Sequence, residues 1–199
     1  MTRFVLATGN PGKLREMRRL LPGYDVAPQS DFTWERVDET GLTFVENAIL
    51  KARHASGASG LPAVADDSGL EVDALDGAPG ILSARYAGKH ANDRENVARL
   101  LRELEGFSGR SARFHCVIVV LRHPSDPAPL ICDGAWEGEI ARAPRGDNGF
   151  GYDPVFMVPE LGVTAAELSA DEKNARSHRG QALTALKRGL RSKPIPGHP

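Results

Sequence analysis

Phe114 to Leu121 reads Phe-His-Cys-Val-Ile-Val-Val-Leu, and no other stretch constrains the fold more tightly. A strand with one wet face alternates apolar and polar residues, whereas a nearly continuous apolar run needs cover on both faces. The run is therefore predicted as a central strand. A chain of 199 residues is long enough to bury a full core in one sizeable domain, with room for two lobes. That domain is expected over residues 1–192, and the Pro-rich residues 193–199 are expected to form an unstructured tail.

Charge narrows the class of partner. Charged residues make up 26% of the chain and the formal net charge is -1, so no global field recruits nucleic acid or a membrane. No apolar run approaches a membrane span, and Met1-Thr2-Arg3 leads into a strand-like segment without a signal-peptide pattern. Neither nucleic acid nor membrane is expected as a partner. Cys116 and Cys132 lie in apolar, strand-like runs; two readings fit, a bridge or buried free thiols, and the second is expected, in a reducing cytoplasm. The six histidines are scattered, with no Cys/His spacing that suggests zinc.

The chain is organised around Ala63-Val64-Ala65-Asp66-Asp67-Ser68-Gly69-Leu70. A short buried strand is expected to end at the paired carboxylates, with Gly69 permitting a tight turn. Neighbouring side chains of an extended segment point to opposite faces, so Asp66 and Asp67 are expected to have different roles. Two readings fit: a solvated turn whose carboxylates bond nearby amides, or a site for Mg²⁺, which needs only one or two protein carboxylates.

Upstream, Phe4 to Ala7 reads as a first strand running into Thr8-Gly9-Asn10-Pro11-Gly12-Lys13 and a helix with Leu14, Met17 and Leu21 on one side. Asn10 suits the N-cap and Pro11 the first helical position. A strand, a glycine-containing loop and a helix N-terminus with a first-turn lysine can bind an anion; an ordinary capped turn has the same sequence. The Walker spacing is absent. Thr43 and Glu46 have capping-box spacing and open a helix expected to bury Val45, Ala48, Ile49 and Ala52. Thr43, Asn47 and Lys51 fall on one polar stripe, either a solvated face or a surface presenting Lys51 and Asn47 to a phosphate, with Glu39 near a metal.

Beyond the carboxylates, Leu70 to Leu75 alternates as a strand, and Ser83 to Gly88 reads as a loop. Asn92 and Glu95 cap a helix carrying Val97, Leu100, Leu101 and Leu104, stopped at Gly106. Leu130 to Cys132 begins a further strand, continued as a sheet edge by Ala135 to Ile140. In Gly146-Asp147-Asn148-Gly149-Phe150-Gly151-Tyr152-Asp153-Pro154, glycines flank the aromatics. The rings are then free to stack on a flat ligand, or to anchor a packed hairpin. Ser169 and Glu172 form another capping box. Lys173 and the turn Ser177-His178-Arg179-Gly180 precede a last helix with Leu183, Leu186 and Leu190.

Together these segments offer Lys13, Lys51, Lys173 and Arg179 as cations, Glu39 and Asp67 as metal ligands, and Phe150 as a ring. That inventory suits a Mg-nucleoside triphosphate. Thr8 to Lys13, Glu39 to Lys51, Ala65 to Leu70, Phe150 to Pro154 and Ser177 to Gly180 occur in the order of the signature blocks of the inosine triphosphate pyrophosphatase family, and the chain most resembles its bacterial dITP/XTP pyrophosphatase branch. The likeness runs from about Phe4 to Arg191, with no departure in any block. It implies an elongated α/β protein whose mixed central sheet has helices on both sides and divides two lobes around an active-site cleft. It also implies a homodimer that hydrolyses ITP, dITP and XTP to the monophosphate and pyrophosphate. By resemblance, Thr8, Gly9, Asn10, Pro11, Gly12, Lys13 and Lys51 hold the triphosphate. Glu39 and Asp67 bind Mg²⁺, and Asp67 is the catalytic carboxylate. Ser68, Phe150, Gly151, Tyr152, Asp153, Lys173, His178 and Arg179 contact the nucleotide. Arg179 and loop amides near Phe150 and Tyr152 would supply donors to the oxygen at purine position 6. The related Maf-type pyrophosphatases share the fold but not the Ser-His-Arg block. A sensor without catalysis would not require Glu39, Asp67 and Lys13 together.

Overall fold

The computed structural model describes residues 2–9, 11–35, 37–192 and 194–195. Its strands are β1 (Thr2–Leu6), β2 (Tyr24–Pro28), β3 (Ala63–Val72), β4 (Ser111–Leu121), β5 (Leu130–Ile140), β6 (Phe156–Val158) and β7 (Val163–Thr164). Its α-helices are α1 (Pro11–Leu20), α2 (Phe44–Ser59), α3 (Asp93–Glu103), α4 (Ala170–Arg176) and α5 (His178–Ser192). The strands form a seven-stranded sheet in the order β2-β1-β3-β4-β5-β6-β7. β1 runs parallel to β2 and β3, whereas β6 is antiparallel to β5 and β7, so the sheet is mixed and the expected α/β class holds. β4 lies between β3 and β5, and Cys116 and Val117 to Leu121 are all buried, as a strand covered on both faces requires. Among the described residues no helix is long and apolar enough to cross a membrane.

Two expectations about the sheet are overturned. Asp66 to Gly69 do not turn: β3 continues without a break to Val72, because Leu70 and Val72 are fully buried and extend the apolar alternation past the carboxylates. β5 is one continuous strand and not an edge, since β6 pairs beyond it through Glu139↔Met157 and Ile140↔Phe156. At Gly138 an added Cβ would meet the Met157 carbonyl at 2.5 Å, so this close approach requires glycine.

By contacts the chain divides into two compact units. The first comprises Met1–Asp67, Val117–Asp133 and Ala182–Pro199; the second comprises Ser68–Cys116 and Gly134–Gln181. In the first, Phe4, Val5 and Leu6 of β1 are buried with Val26 and Ala27 of β2, and Phe4 meets Tyr24 edge-on at 5.8 Å. Met17 and Leu21 are buried as the α1 pattern predicts. The Thr43–Glu46 capping box is present, but α2 buries Phe44, Asn47, Ala48, Ala52, Ala55 and Ser56. The buried face is rotated from the expected one: Val45 and Ile49 are half-buried, and Asn47 leaves the polar stripe for the interior. Leu183, Leu186 and Leu190 of α5 are buried, and Gly189 lets the helix approach Leu130 of β5 so closely that a Cβ would lie 2.9 Å from its methyls.

The second unit has an aromatic core. The rings of Phe114 and Phe156 lie 4.4 Å apart and those of Trp136 and Phe156 lie 5.1 Å apart. Val97, Leu100 and Leu104 of α3 join the same cluster. α3 carries the expected Asn92–Glu95 box, and α4 carries the Ser169–Glu172 box. Ser177 ends α4, and His178 opens α5, so Ser177 to Gly180 is a helix junction and not a free turn. The segment read as a loop at Ser83 to Gly88 begins inside a 3-10 helix, Gly80–Arg85.

The connection between β4 and β5 is tied by a buried charge. Asp126 is 1% exposed and accepts hydrogen bonds from the Arg122 amide and side chain and from the Ala128 amide. The Arg122 guanidinium, opposed by burial and helped by the two amides, holds the Asp126 carboxyl far below the usual carboxylate range. The folded carboxylate resists protonation, so its stabilisation is complete above the unfolded value of about 4 and fades as pH falls below it. Charged hydrogen bonds contribute about 2 kcal/mol. Asp126→Ala is expected to lower Tm at neutral pH by roughly 4–8 °C, with the gap to wild type narrowing below about pH 4. Thermal denaturation followed by circular dichroism between pH 7 and pH 2 tests this, and a gap independent of pH would refute it.

Candidate active site

In the first unit the strand alternation of β3 sends its adjacent carboxylates to different lysines. Asp66 pairs with Lys13, whose Nζ lies 2.5 Å from Oδ2, and Asp67 pairs with Lys51 at 2.7 Å. Lys13 comes from the first turn of α1 and Lys51 from the middle of α2. Lys51 also reaches Glu39 at 3.2 Å. The structure thus brings Lys13 close to Asp66, and Lys51, Glu39 and Asp67 close to one another. Asp66 is the residue that the sequence left without an assigned partner; the paired carboxylates signalled a charged site but did not say which lysine each would take.

An isolated ion pair lowers its carboxyl pKa and raises its ammonium pKa. Here both move up. Burial pushes the Asp67 carboxyl above its ordinary range; Lys51 opposes this, and the charges of Glu39 and Asp66 reinforce it. Burial would lower the Lys51 ammonium, but Asp67, Glu39 and Asp66 outweigh it and the net shift is upward. For Asp67 burial dominates; for Lys51 the three carboxylates around it outweigh burial. Such a cluster has capacity for a further cation. Among the described residues no group of three or more His, Cys, Asp or Glu side chains converges as a metal cluster. Two carboxylates suffice for Mg²⁺, which takes its remaining oxygens from water and substrate phosphates. The donor set of Glu39 and Asp67 therefore fits that ion.

Glu39 is held by its neighbours. Two residues on, the Gly41 amide donates to Asn47 Oδ1 at 2.8 Å, and a Cβ on Gly41 would lie 2.6 Å from the Glu46 Cβ. Thr8 is half-buried and its amide donates to the Leu6 carbonyl at 2.9 Å; Gly9 is exposed. Pro11 begins α1 as expected, with Gly12 and Lys13 following in its first turn. The N-cap and substrate expectations for Asn10 lie outside the described residues.

In the second unit the glycine-rich loop separates its two aromatics. Phe150 is 62% exposed, whereas Tyr152 is buried and donates its hydroxyl to the Ser83 carbonyl at 2.8 Å. Burial pushes the Tyr152 phenol well above its usual range. Phe150 therefore stands clear of the loop, and Tyr152 anchors it. Lys173 of α4 lies over the Phe150 ring, 4.8 Å from its centroid, and pairs with the buried carboxylate of Asp153. Asp153 also accepts the Phe150 amide at 2.8 Å, and Asp93 accepts the Gly151 amide at 2.7 Å. The Phe150 and Gly151 amides thus both donate to carboxylates. Asp93 and Ser83 were missed by the sequence reading. An acid in the first turn of a capped helix has an adequate local explanation, and nothing in the sequence points it at a loop 58 residues away.

Arg179 donates to Ser68 Oγ at 3.4 Å, and His178 is buried with its ring stacked on Phe114 at 4.9 Å. Both sit in the first turn of α5, oriented by a tight junction. The Gly180 amide donates to Ser177 Oγ at 3.1 Å, and a Cβ on Gly180 would overlap the Asn174 carbonyl. Ser68 follows Asp67 directly along β3, so the chain passes without interruption from the carboxylate pair to the second group.

Lysines matched to carboxylates on one strand have the chemistry of an α/β protein that handles phosphates. Comparison with known proteins makes the class specific. Residues 4–189 match the Ham1 family, and the chain belongs to it. It is 57% identical over 196 residues to the dITP/XTP pyrophosphatase of Pectobacterium atrosepticum, covering 96% of this chain and 100% of the relative. It is 59% identical over 195 residues to that of Yersinia pseudotuberculosis, covering 96% and 99%. The structure of a HAM1 protein from Coxiella burnetii superposes with a TM-score of 0.94 at 57% identity, covering 96% of this chain and 100% of that one. The Staphylococcus aureus Ham1 protein gives 0.91 at 44% identity, with 96% and 100% covered.

The helix junction yields a direct test. Gly180→Ala forces the α4–α5 corner open, and overpacking of this kind costs about 1–3 kcal/mol. Tm is expected to fall by roughly 3–8 °C. Calorimetry of the purified variant checks this; an unchanged Tm would mean that the corner has no close approach at Asn174.

Proposed function

We propose that the chain hydrolyses the non-standard purine nucleoside triphosphates ITP, dITP and XTP to the nucleoside monophosphate and pyrophosphate, removing them from the nucleotide pool. The observation that carries this reading is the β3 cluster, in which Asp67, Glu39 and Lys51 meet beside the Lys13–Asp66 pair. It accompanies 57% to 59% identity to relatives named dITP/XTP pyrophosphatase. Glu39 and Asp67 would hold Mg²⁺, which when bound supplies positive charge to the phosphoryl oxygens. Lys13 and Lys51 would neutralise the triphosphate, and the strand-to-helix loop from Thr8 to Lys13 would bind phosphate through its amides. Asp67 orients the attacking water; with Mg²⁺ bound beside it the carboxylate is a weak base, so its part is positioning more than proton removal. In the second unit Phe150 stacks on the purine, Lys173 and Asp153 support that ring, and Gly151 and Tyr152 complete its loop. Ser68, His178 and Arg179 contact the nucleotide. We further infer a cytoplasmic homodimer, with Cys116 and Cys132 kept as buried thiols.

Resolving pyrophosphate from orthophosphate across a panel of triphosphates with Mg²⁺ tests the reaction, and in ¹⁸O-water the label should enter the monophosphate. Label in pyrophosphate would move the attack to the β-phosphate. Asp67→Asn is expected to keep the fold and to lower kcat by about a hundredfold or more. Near wild-type turnover of the folded variant would remove Asp67 from the reaction.

Base choice follows from hydrogen bonding. Hypoxanthine and xanthine present an acceptor oxygen at position 6, where adenine presents a donor, so a donor such as Arg179 is left unmatched by ATP. With the Phe150 and Gly151 amides already engaged, this role falls more heavily on Arg179. Arg179→Ala should lower kcat/KM for ITP far more than for ATP. Equal losses would assign Arg179 to phosphate or to structure.

A further inference from the structure

Phe150 is flanked by Gly149 and Gly151, whose φ angles are +79° and +61°. Both neighbours can adopt conformations closed to other residues, so a ring between them is mobile unless something outside the loop holds it. Clamps act at successive positions. The Phe150 amide is held by Asp153, within the same loop. The Tyr152 hydroxyl is held by the Ser83 carbonyl, and Ser83 Oγ in turn accepts the Leu70 amide at 2.9 Å and donates to the Gly80 carbonyl at 2.6 Å. Between them, the Gly151 amide is held by Asp93 Oδ2 at 2.7 Å.

The helix does not need Asp93 for its cap. Asn92 Oδ1 accepts the Glu95 amide at 3.0 Å, and Glu95 returns the bond to the Asn92 amide at 2.8 Å. Asp93 is the next residue, and its carboxylate is turned to another segment of the unit. We propose that Asp93 is a positioning residue: by accepting the Gly151 N–H it fixes the loop so that Phe150 presents its face to the purine. The proposal rests on the assignment of Phe150 as the stacking ring. Asp93 itself touches neither base nor phosphate. Its loss changes how often the ring is correctly placed and leaves the phosphoryl chemistry alone.

That division sets the test. Asp93→Ala is expected to raise KM for ITP and XTP alike by about fivefold, with kcat within about twofold of wild type, because base stacking contributes to binding without reading the base. Asp93→Asn keeps an acceptor oxygen at the same place and should restore KM to within about twofold. In a Phe150→Ala background the further change Asp93→Ala should add nothing to KM, since the ring it positions is gone. Hydrogen exchange at the Gly151 amide, read without substrate, should be protected in wild type and Asp93→Asn and accelerated in Asp93→Ala. A lowered Tm with unchanged KM would show that Asp93 serves α3 alone and would overturn the proposal. Unchanged exchange at Gly151 in Asp93→Ala would overturn the clamp itself. Failure of the wild-type protein to release pyrophosphate from ITP would instead overturn the functional reading, and with it the effect on KM.

Discussion

Lys51 is the ammonium on which the first unit's charged cluster depends. It is largely buried and meets both Asp67 and Glu39, with the charge of Asp66 also felt. At an effective dielectric of about 20, unit charges 4 Å apart interact by about 4 kcal/mol, so the gain from opposite charges and the cost of adjacent like charges are both large. β3 limits the cost by its geometry. Because consecutive side chains leave opposite faces of a strand, Asp66 and Asp67 can be neighbours in sequence without sharing one pocket. Each finds its own lysine, one from α1 and one from α2. Burial first, and the charges of Glu39 and Asp66 after it, raise the Asp67 carboxyl, so holding it ionised there favours a further cation in the cluster.

The second unit solves a different problem, which is to expose a large aromatic ring without letting it wander. Phe150 gains no hold from burial. It is held instead through the backbone on either side and through Lys173, which contributes a cation–π contact to the ring while its charge is matched by Asp153. Asp153 is 2% exposed and serves both the Lys173 ammonium and the Phe150 amide, so one buried carboxylate sets both the backbone and the cation above the ring. Pre-organisation of this kind spares the ordering cost that a flexible loop incurs on binding.

What the sequence disclosed follows the range of the interactions involved. The capping boxes at Thr43, Asn92 and Ser169 stand as read because each is closed within four residues. A fourth box, Thr164 with Glu167, escaped notice because it opens only a three-residue 3-10 turn with no apolar periodicity behind it. β2, β6 and β7 were also missed: at five, three and two residues they are too short to show alternation, and only pairing makes them strands. The misreadings at Gly69 and at β5 have different causes. Gly69 permits a turn by local propensity but sits inside a strand held by the sheet, and β5 reads as an edge because the three-residue β6 that pairs beyond it shows no alternation. For the site, residue types and order marked out Lys13, Glu39, Lys51, Asp67 and Phe150. The partners Asp66, Ser83 and Asp93 are visible only once the sheet brings distant segments together.

Asn47 shows why a helical stripe cannot be read from periodicity alone. Its spacing from Thr43 and Lys51 places it on a polar face, yet it is fully buried. Its carbonyl oxygen takes the Gly41 amide, and among the described residues its Nδ2 is a buried donor with no hydrogen-bond partner. A buried orphan donor costs about 1–3 kcal/mol, and an apolar residue at this position would avoid that cost. An apolar residue would equally leave the Gly41 amide without its acceptor and release the segment that carries Glu39. The amide side chain is thus a local compromise: one of its ends fixes the backbone two residues from a carboxylate of the charged cluster, while the other remains unsatisfied. The residue at 47 is thus set as much by the Gly41 amide it accepts as by the packing of α2.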